Sequence, residues 1–300
     1  MKALHDLAAP AKLNLFLHIV GKRPDGYHLL QSVFVLIDWA DTLHVERRAD
    51  GRLHRHDVLG GGLPAEDLCL RAARLLQAET GCTLGADIHL EKRLPAGAGM
   101  GGGSSDAATT LLALNRLWDL RLPLPRLLEL GLRLGADVPF FLGGGPAFVE
   151  GIGEILHPIT LPQQRFAVAK GPAGLSTQQI FSSKYLARSE NLAIVAGFPA
   201  SGGTAERIAQ GFGRNDLQPA AEAISGDVRE LLALMSKQFG NARMTGSGAA
   251  VFSVLGEGKD GKDDQSLATL LKSRPSAEAS GWTGRICHSL AQHPLAGWAG

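Results

Sequence analysis

The chain has 300 residues, room for roughly two domains of ordinary size and for a buried core without disulfide staples. Thirty Lys and Arg against 29 Asp and Glu leave a formal net charge of +1, so no global field can hold a polyanion and any anionic ligand must be gripped locally. Cys69, Cys82 and Cys287 form no Cys-x-x-Cys pair, no window supplies the run of about 18 apolar residues a membrane span needs, and the N-terminus has no apolar signal core; the expectation is a cytoplasmic protein with free thiols, engaging neither nucleic acid nor membrane.

Residues 11–20 and 33–37 read as strands joined by a turn-rich Gly-Lys-Arg-Pro-Asp-Gly stretch, a long hairpin. Residues 43–55 read as a polar-faced hairpin around Asp50-Gly51. Helical spacing covers 68–79, alternation marks a strand at 86–91, and a helix is expected over 104–117, with small residues first and leucines later. A second helix over 127–134 closes at Gly135, and 146–157 is a strand pair or strand and turn. Pro158 and Pro162 mark a domain boundary near 160, after which 166–169 and 249–255 are strands, 183–230 is of helical composition, 228–239 is an amphipathic helix and 256–280 is an exposed loop.

Glycine is the compositional outlier: 38 residues, against a usual share of about 7%. Five of them fall within seven positions at Gly97, Gly99, Gly101, Gly102 and Gly103, followed by Ser104, Ser105 and a helix start. Without Cβ atoms in the way, successive backbone N–H groups can converge on a phosphate, aided by the positive end of the next helix. The Rossmann pattern Gly97-x-Gly99-x-x-Gly102 is present, but the preceding strand is charged and alternating where a buried parallel strand should be continuously apolar. The P-loop needs Gly-Lys-Ser/Thr, and the protein kinases need His-Arg-Asp and Asp-Phe-Gly; none occurs here.

Lys12 and Asn14 interrupt an apolar strand at spacing two, on one face, either as a solvated edge or as part of a site. Tyr27 and His28 follow Asp25-Gly26 in a turn, where a ring and a hydrogen-bonding edge could serve a nucleobase or simply face water. Asp137, near a helix end and ahead of apolar residues, is either a cap or a general base; a helix C-terminus disfavours an anion, which argues mildly against a purely structural role. His54 and His56, two apart on a polar stretch with no third ligand nearby in sequence, are read as solvent-exposed rather than as a metal pair.

Three segments, PAKLNLFLHIVGKRPDGYH (10–28), LPAGAGMGGGSSDAA (94–108) and MTGSGAAVF (244–252), resemble the three motifs of the GHMP kinase superfamily. The Asp-Gly-Tyr-His turn, the triple glycine before Ser-Ser-Asp, and Gly-Ala-Asp-Val-Pro-Phe-Phe from Gly135 narrow the resemblance to the branch whose substrate is a cytidine diphosphate-linked methylerythritol in the non-mevalonate isoprenoid (terpenoid) pathway. It runs from about 8 to 160 and returns at 176–181, 215–217 and 244–255. The resemblance implies an α+β, two-domain GHMP kinase fold: a ribosomal-protein-S5-like N-terminal domain (1–160), a ferredoxin-like C-terminal domain (161–300), and ligands in the cleft between them.

By that resemblance Asp137 is the catalytic base and Lys12 its partner. Pro95, Gly97, Gly99, Gly101, Gly102, Gly103, Ser104 and Ser105 hold the ATP phosphates, with Lys92 and Asp67 towards the adenine. Asp67 stands where the family commonly has Asn, and Met100 where it has Leu. Tyr27 and Phe181 sandwich the cytosine, His28 reads its edge, and Asn14, Phe34, Ile152 and Thr177 contact the substrate. Gly246-Ser247-Gly248 packs on the phosphate loop from the other domain. ATP and Mg2+ are implied, without named protein ligands for the metal, in a monomer or homodimer. The competing readings are a homoserine- or mevalonate-type kinase of the same superfamily, a catalytically inactive nucleotide-binding regulator and, more distantly, a Rossmann oxidoreductase.

Overall fold

A computed structural model describes residues 1–60, 62–187, 211–256, 260–272 and 281–299. The expected hairpin is longer than its apolar runs: β1 (Ala3–Lys22) and β2 (His28–Arg48) pair antiparallel along almost their whole length, with bulges that let so long a ribbon coil. The other strands are β3 (Leu53–Leu59), β4 (Gly85–Glu91), β5 (Ala147–Glu150), β6 (Ile155–Pro158), β7 (Arg165–Lys170), β8 (Arg243–Met244), β9 (Val251–Leu255) and β10 (Thr283–Leu290). The helices are α1 (Leu68–Thr80), α2 (Gly102–Leu117), α3 (Leu124–Leu134), α4 (Val138–Gly143), α5 (Thr177–Phe181), α6 (Gln218–Ile224), α7 (Gly226–Phe239) and α8 (Asp260–Lys272).

Three readings are corrected. The 43–55 segment is not a hairpin: β4 lies between β2 and β3, antiparallel to the first and parallel to the second. The reason is burial. Ala86, Ile88 and Leu90 of β4 are fully buried, whereas β3 is exposed at most positions and belongs at the sheet's rim. Helix α2 begins at Gly102, so Gly102 and Gly103 form its first turn rather than the loop; a Cβ at Gly102 would come within 3.3 Å of the Leu94 side chain, so the turn is packed tightly there. The 256–280 stretch contains α8, whose charged composition hides a buried Leu267; residues 257–259 and 273–280 lie outside the described residues, as do 188–210 of the stretch expected to be helical.

Helix α2 is buried on nearly every side, with Arg116 the exposed exception within Ser105–Leu117, and it packs on β1, β2, α1, α3 and α4. Burial on this scale makes it a core helix even though Ser105, Asp106, Thr109, Thr110 and Asn115 are among its buried residues. Beyond residue 160, with the short helices α5 and α6 set into the connection after β7, the elements run β7, α7, β8, β9, α8, β10, and the strands lie in the order β10-β7-β9-β8. That is the ferredoxin-like βαββαβ arrangement. Strand β10 also pairs with β2 through Ser289 and Leu290, so one sheet path joins the two halves. The chain end follows it back: His293 N–H donates to Gly144 C=O and the Arg116 guanidinium sits over Trp298. Among the described residues no helix is long and apolar enough to cross a membrane.

Candidate active site

Strand β1 carries Lys12 and Asn14 inward, both buried, so the solvated-edge alternative does not apply. Lys12 Nζ donates to Asn14 Oδ1 at 2.5 Å, Asn14 Nδ2 donates to Ser32 Oγ at 3.0 Å, and the Asn14 N–H donates to Thr245 Oγ1 at 2.9 Å. The ammonium also lies 4.4 Å from the centre of the Phe34 ring, a cation–π contact. Its remaining partner is Asp137, 3.7 Å away. Burial pushes the Lys12 pKa below the ordinary lysine value, and the Asp137 carboxylate opposes that fall.

Asp137 does not close a helix. It precedes α4, whose N-terminal end favours an anion, yet its carboxylate makes no capping hydrogen bond. With the cap role unused, the oxygens are left to Lys12 and to the cavity, to which the side chain is one-third exposed. Sequence periodicity missed α4 because it has only six residues, fewer than two turns.

The glycine loop is zipped to the second glycine cluster. Ala249 N–H donates to Gly97 C=O at 3.0 Å and Ala250 N–H to Ala98 C=O at 3.1 Å. Gly99 has φ +71°, and a Cβ on it would fall within 3 Å of the Gly248 amide nitrogen. Gly101, also at positive φ, has no room for a side chain beside Phe141 and Lys12. Backbone alone fits these positions, as a phosphate cradle requires. Asn215 Nδ2 holds the partner loop by donating to Met244 C=O and Gly246 C=O, both at 2.8 Å. Thr177 and Ser247 join hydroxyls at 2.8 Å.

The Lys12–Asp137 pair, Asn14, Thr177 and glycines of both clusters border one cavity of about 690 Å³, within the range of small-ligand sites. Its lining includes thirteen of the residues singled out from the sequence: Lys12, Asn14, Tyr27, His28, Phe34, Gly97, Gly99, Gly101, Ser104, Asp137, Ile152, Thr177 and Phe181. Phe181 stacks on His28, with ring centres 5.3 Å apart and planes 24° from parallel, while Tyr27 is 60% exposed.

Six expected residues stand outside that lining. Ser105 Oγ donates to Pro10 C=O, Gly102 and Gly103 begin α2, and Pro95 is half-buried in the approach to the loop. Asp67 caps α1 by accepting from Leu70 N–H at 3.0 Å, and pairs with Arg55. Lys92 bridges two buried carboxylates, Asp41 and Asp106, the latter at 2.7 Å. Asp106 stands in the Ser-Ser-Asp motif without a role that the sequence assigns, and Asp41 lies far from Lys92 along the chain and carries no local signal. Leu175 joins the cavity as an unmarked leucine that only the fold brings there, and Leu217 joins it from the resembling stretch 215–217 without a role assigned from sequence.

Comparison with known proteins agrees with this geometry. The family model "GHMP kinases N terminal domain" matches residues 67–145, and "GHMP kinases C terminal" matches 195–273. The 4-diphosphocytidyl-2-C-methyl-D-erythritol kinase of Methylibium petroleiphilum is 55% identical over 300 residues, covering 100% of this chain and 99% of that one. The chain belongs to the 4-diphosphocytidyl-2-C-methyl-D-erythritol kinases of the GHMP superfamily. A crystal structure of 4-(cytidine 5'-diphospho)-2C-methyl-D-erythritol kinase superposes with a TM-score of 0.74 at 33% identity, covering 93% of this chain and 98% of that one. Homoserine kinase from Cytophaga hutchinsonii shares the fold, with a TM-score of 0.71 at 16% identity over 98% of this chain and 96% of that one. As a GHMP kinase the chain is an ATP-dependent small-molecule kinase, and the Rossmann reading falls away.

Proposed function

We propose that the chain transfers the γ-phosphoryl group of ATP to the 2-hydroxyl of 4-diphosphocytidyl-2-C-methyl-D-erythritol. The observation that carries this reading is a single cavity bordered by a side-chain-free glycine loop, a Lys12–Asp137 pair and the aromatic group Tyr27, His28 and Phe181. Phosphoryl transfer asks chiefly for positioning, charge neutralisation and a proton acceptor. Backbone amides of Gly97–Ser104 supply the first, cradling the phosphates from a loop held rigid by its partner cluster. Asp137 takes the proton of the attacking hydroxyl; Lys12, paired with that carboxylate, offsets charge on the transferring group. Asn14 fixes the ammonium by accepting its hydrogen bond.

Ser104, in the cavity lining beside the glycine loop, offers a hydroxyl oxygen of the kind a hard cation such as Mg2+ takes, and it would help hold an ion that neutralises phosphate charge, leaving Asp137 to the proton. Tyr27 and Phe181 clasp the cytosine and His28 reads its edge, while Phe34, Ile152 and Thr177 bound the rest of the substrate. Lys92 and Asp67 belong in this reading to the adenine side, Lys92 by way of the first turn of α2, against which its ammonium is packed. The enzyme is taken as cytoplasmic, two-domained with a division near 160, and monomeric or homodimeric, acting on a small molecule without nucleic acid or membrane.

The test is ADP release by the purified chain with Mg·ATP and each candidate acceptor. Turnover with the cytidyl substrate and none with homoserine or mevalonate supports the reading. Preference for homoserine or mevalonate overturns it, and binding of ATP without turnover of any acceptor assigns an inactive regulator instead. Direct contact between Lys12 and Asp137 argues against that last outcome.

A further inference from the structure

The geometry points to a transition-metal site on the exposed face of β3 and β4, formed by His54, His56 and Asp87. His54 and His56 are two apart on β3, so their side chains share a face of the sheet. The parallel pairing of β3 with β4 sets His54 opposite Asp87 and His56 opposite His89. A third ligand, too distant in sequence to be seen beside the two histidines, is thereby delivered from β4, 33 residues beyond His54 and 31 beyond His56. His54 Nδ1 lies 3.3 Å and His56 Nε2 2.9 Å from the same oxygen, Asp87 Oδ1. The three ligand atoms fall within 4.8 Å of one another, and among the described residues no other His, Cys, Asp or Glu group has this arrangement.

A tetrahedral ion with bonds of about 2.0–2.2 Å separates its ligand atoms by roughly 3.3–3.5 Å. The spacing from Asp87 to the imidazoles, 3.3 and 2.9 Å, is at or just below that, and no two of the three atoms are more than 4.8 Å apart, so seating an ion asks for small movements of the exposed imidazoles. The surroundings restrict those movements. Asp87 Oδ2 is held by Arg48 at 2.7 Å, which turns Oδ1 towards the histidines, and the His89 ring stacks on His56 at 4.6 Å with planes 19° from parallel. Both histidines are nearly half exposed, which leaves an open path for the ion and solvent positions for its remaining ligands.

Two imidazoles and a carboxylate select borderline divalent ions such as Zn2+ over Mg2+, which prefers an all-oxygen shell. None of the three residues borders the cavity, so this site is separate from any ion accompanying ATP. Its consequence is mechanical. Strand β3 stands at the sheet's rim, and an ion shared with β4 fastens it; binding to the folded chain alone raises stability by mass action.

The experiment titrates ZnCl2, and separately MgCl2, into the untagged full chain without nucleotide, read by calorimetry and by thermal melting. One equivalent of Zn2+ is expected to bind and raise Tm, with no such rise from Mg2+. His56→Ala and, as a milder variant, His54→Gln should each weaken Zn2+ binding at least about tenfold and abolish the rise in Tm, while turnover with Mg·ATP stays at the parent rate. Equal Zn2+ affinity in the parent and both variants would locate the ion elsewhere and overturn the proposal, as would Mg2+ binding as tightly as Zn2+.

Discussion

Gly246 meets Gly99 so closely that a Cβ on Gly246 would lie 2.5 Å from the Gly99 carbonyl oxygen. The obstacle is backbone, which cannot swing aside, and Gly246 also has φ +54°, disfavoured for any residue with a side chain. The contact lies across the seam between the two glycine clusters and fixes the curvature of the phosphate loop. Gly246→Ala should destabilise the fold by about 1–3 kcal/mol, the cost of overpacking, and raise KM for ATP as the cradle opens. Denaturant unfolding and steady-state kinetics check both. An unaltered KM for ATP would mean that the seam does not shape the cradle.

Asp137→Asn tests the proton acceptor. The amide keeps the size of the side chain and one hydrogen-bonding oxygen for Lys12, so the chain should still fold, with some stability lost with the ion pair, while kcat falls by about 10² to 10⁴, the range of general-base catalysis. Lys12 then lacks the carboxylate that resists the fall of its pKa on burial, so the ammonium should titrate at lower pH than in the parent. Near-normal turnover in this variant would remove Asp137 from the chemistry.

Tyr27 makes its case through exposure. A tyrosine 60% open to solvent contributes little to the fold, so Tyr27→Ala should change stability by no more than about 0.5 kcal/mol. If the ring stacks on the cytosine, its loss costs about 1–3 kcal/mol of binding. That should appear as a higher KM for the cytidyl substrate, with KM for ATP unmoved. Parallel changes in both constants would indicate a role in closing the cavity rather than in holding the base.

Much of the site was legible because its chemistry breaks local patterns. Lys12 and Asn14 stand out in an apolar strand, five glycines in seven positions have few structural uses, and Tyr27 and His28 sit together in a turn. What stayed hidden was set by pairing at a distance. Alternation marked β3 and β4 as strands but could not say that β4 would pair with both β2 and β3, and the reading of Asp137 as a helix terminus followed from a helix too short to show a period. Lys92 stands out only through the family resemblance, which sets it towards the adenine; its two buried carboxylates come from β2 and α2, and only the closed fold shows that the ammonium is shared between them.

That shared ammonium makes stability depend on pH. Asp106 is buried; desolvation, with help from the nearby Asp41 carboxylate, outweighs the downward pull of Lys92 and leaves its pKa raised to about 7. One of its oxygens, Oδ1, is buried without a hydrogen-bond partner, so the charged form is poorly compensated. An unfolded aspartate titrates near 3.9, so between about pH 4 and pH 7 the folded chain keeps a proton here that the unfolded chain has released. The unfolded state then binds fewer protons, and stability falls as pH rises through that window. Asp106→Asn removes the contribution while Asp41 still pairs with Lys92. Its Tm relative to the parent should therefore climb as pH increases from about 5 to about 8, whereas parallel Tm curves would show that Asp106 stays ionised throughout and that the Lys92 ammonium compensates both carboxylates.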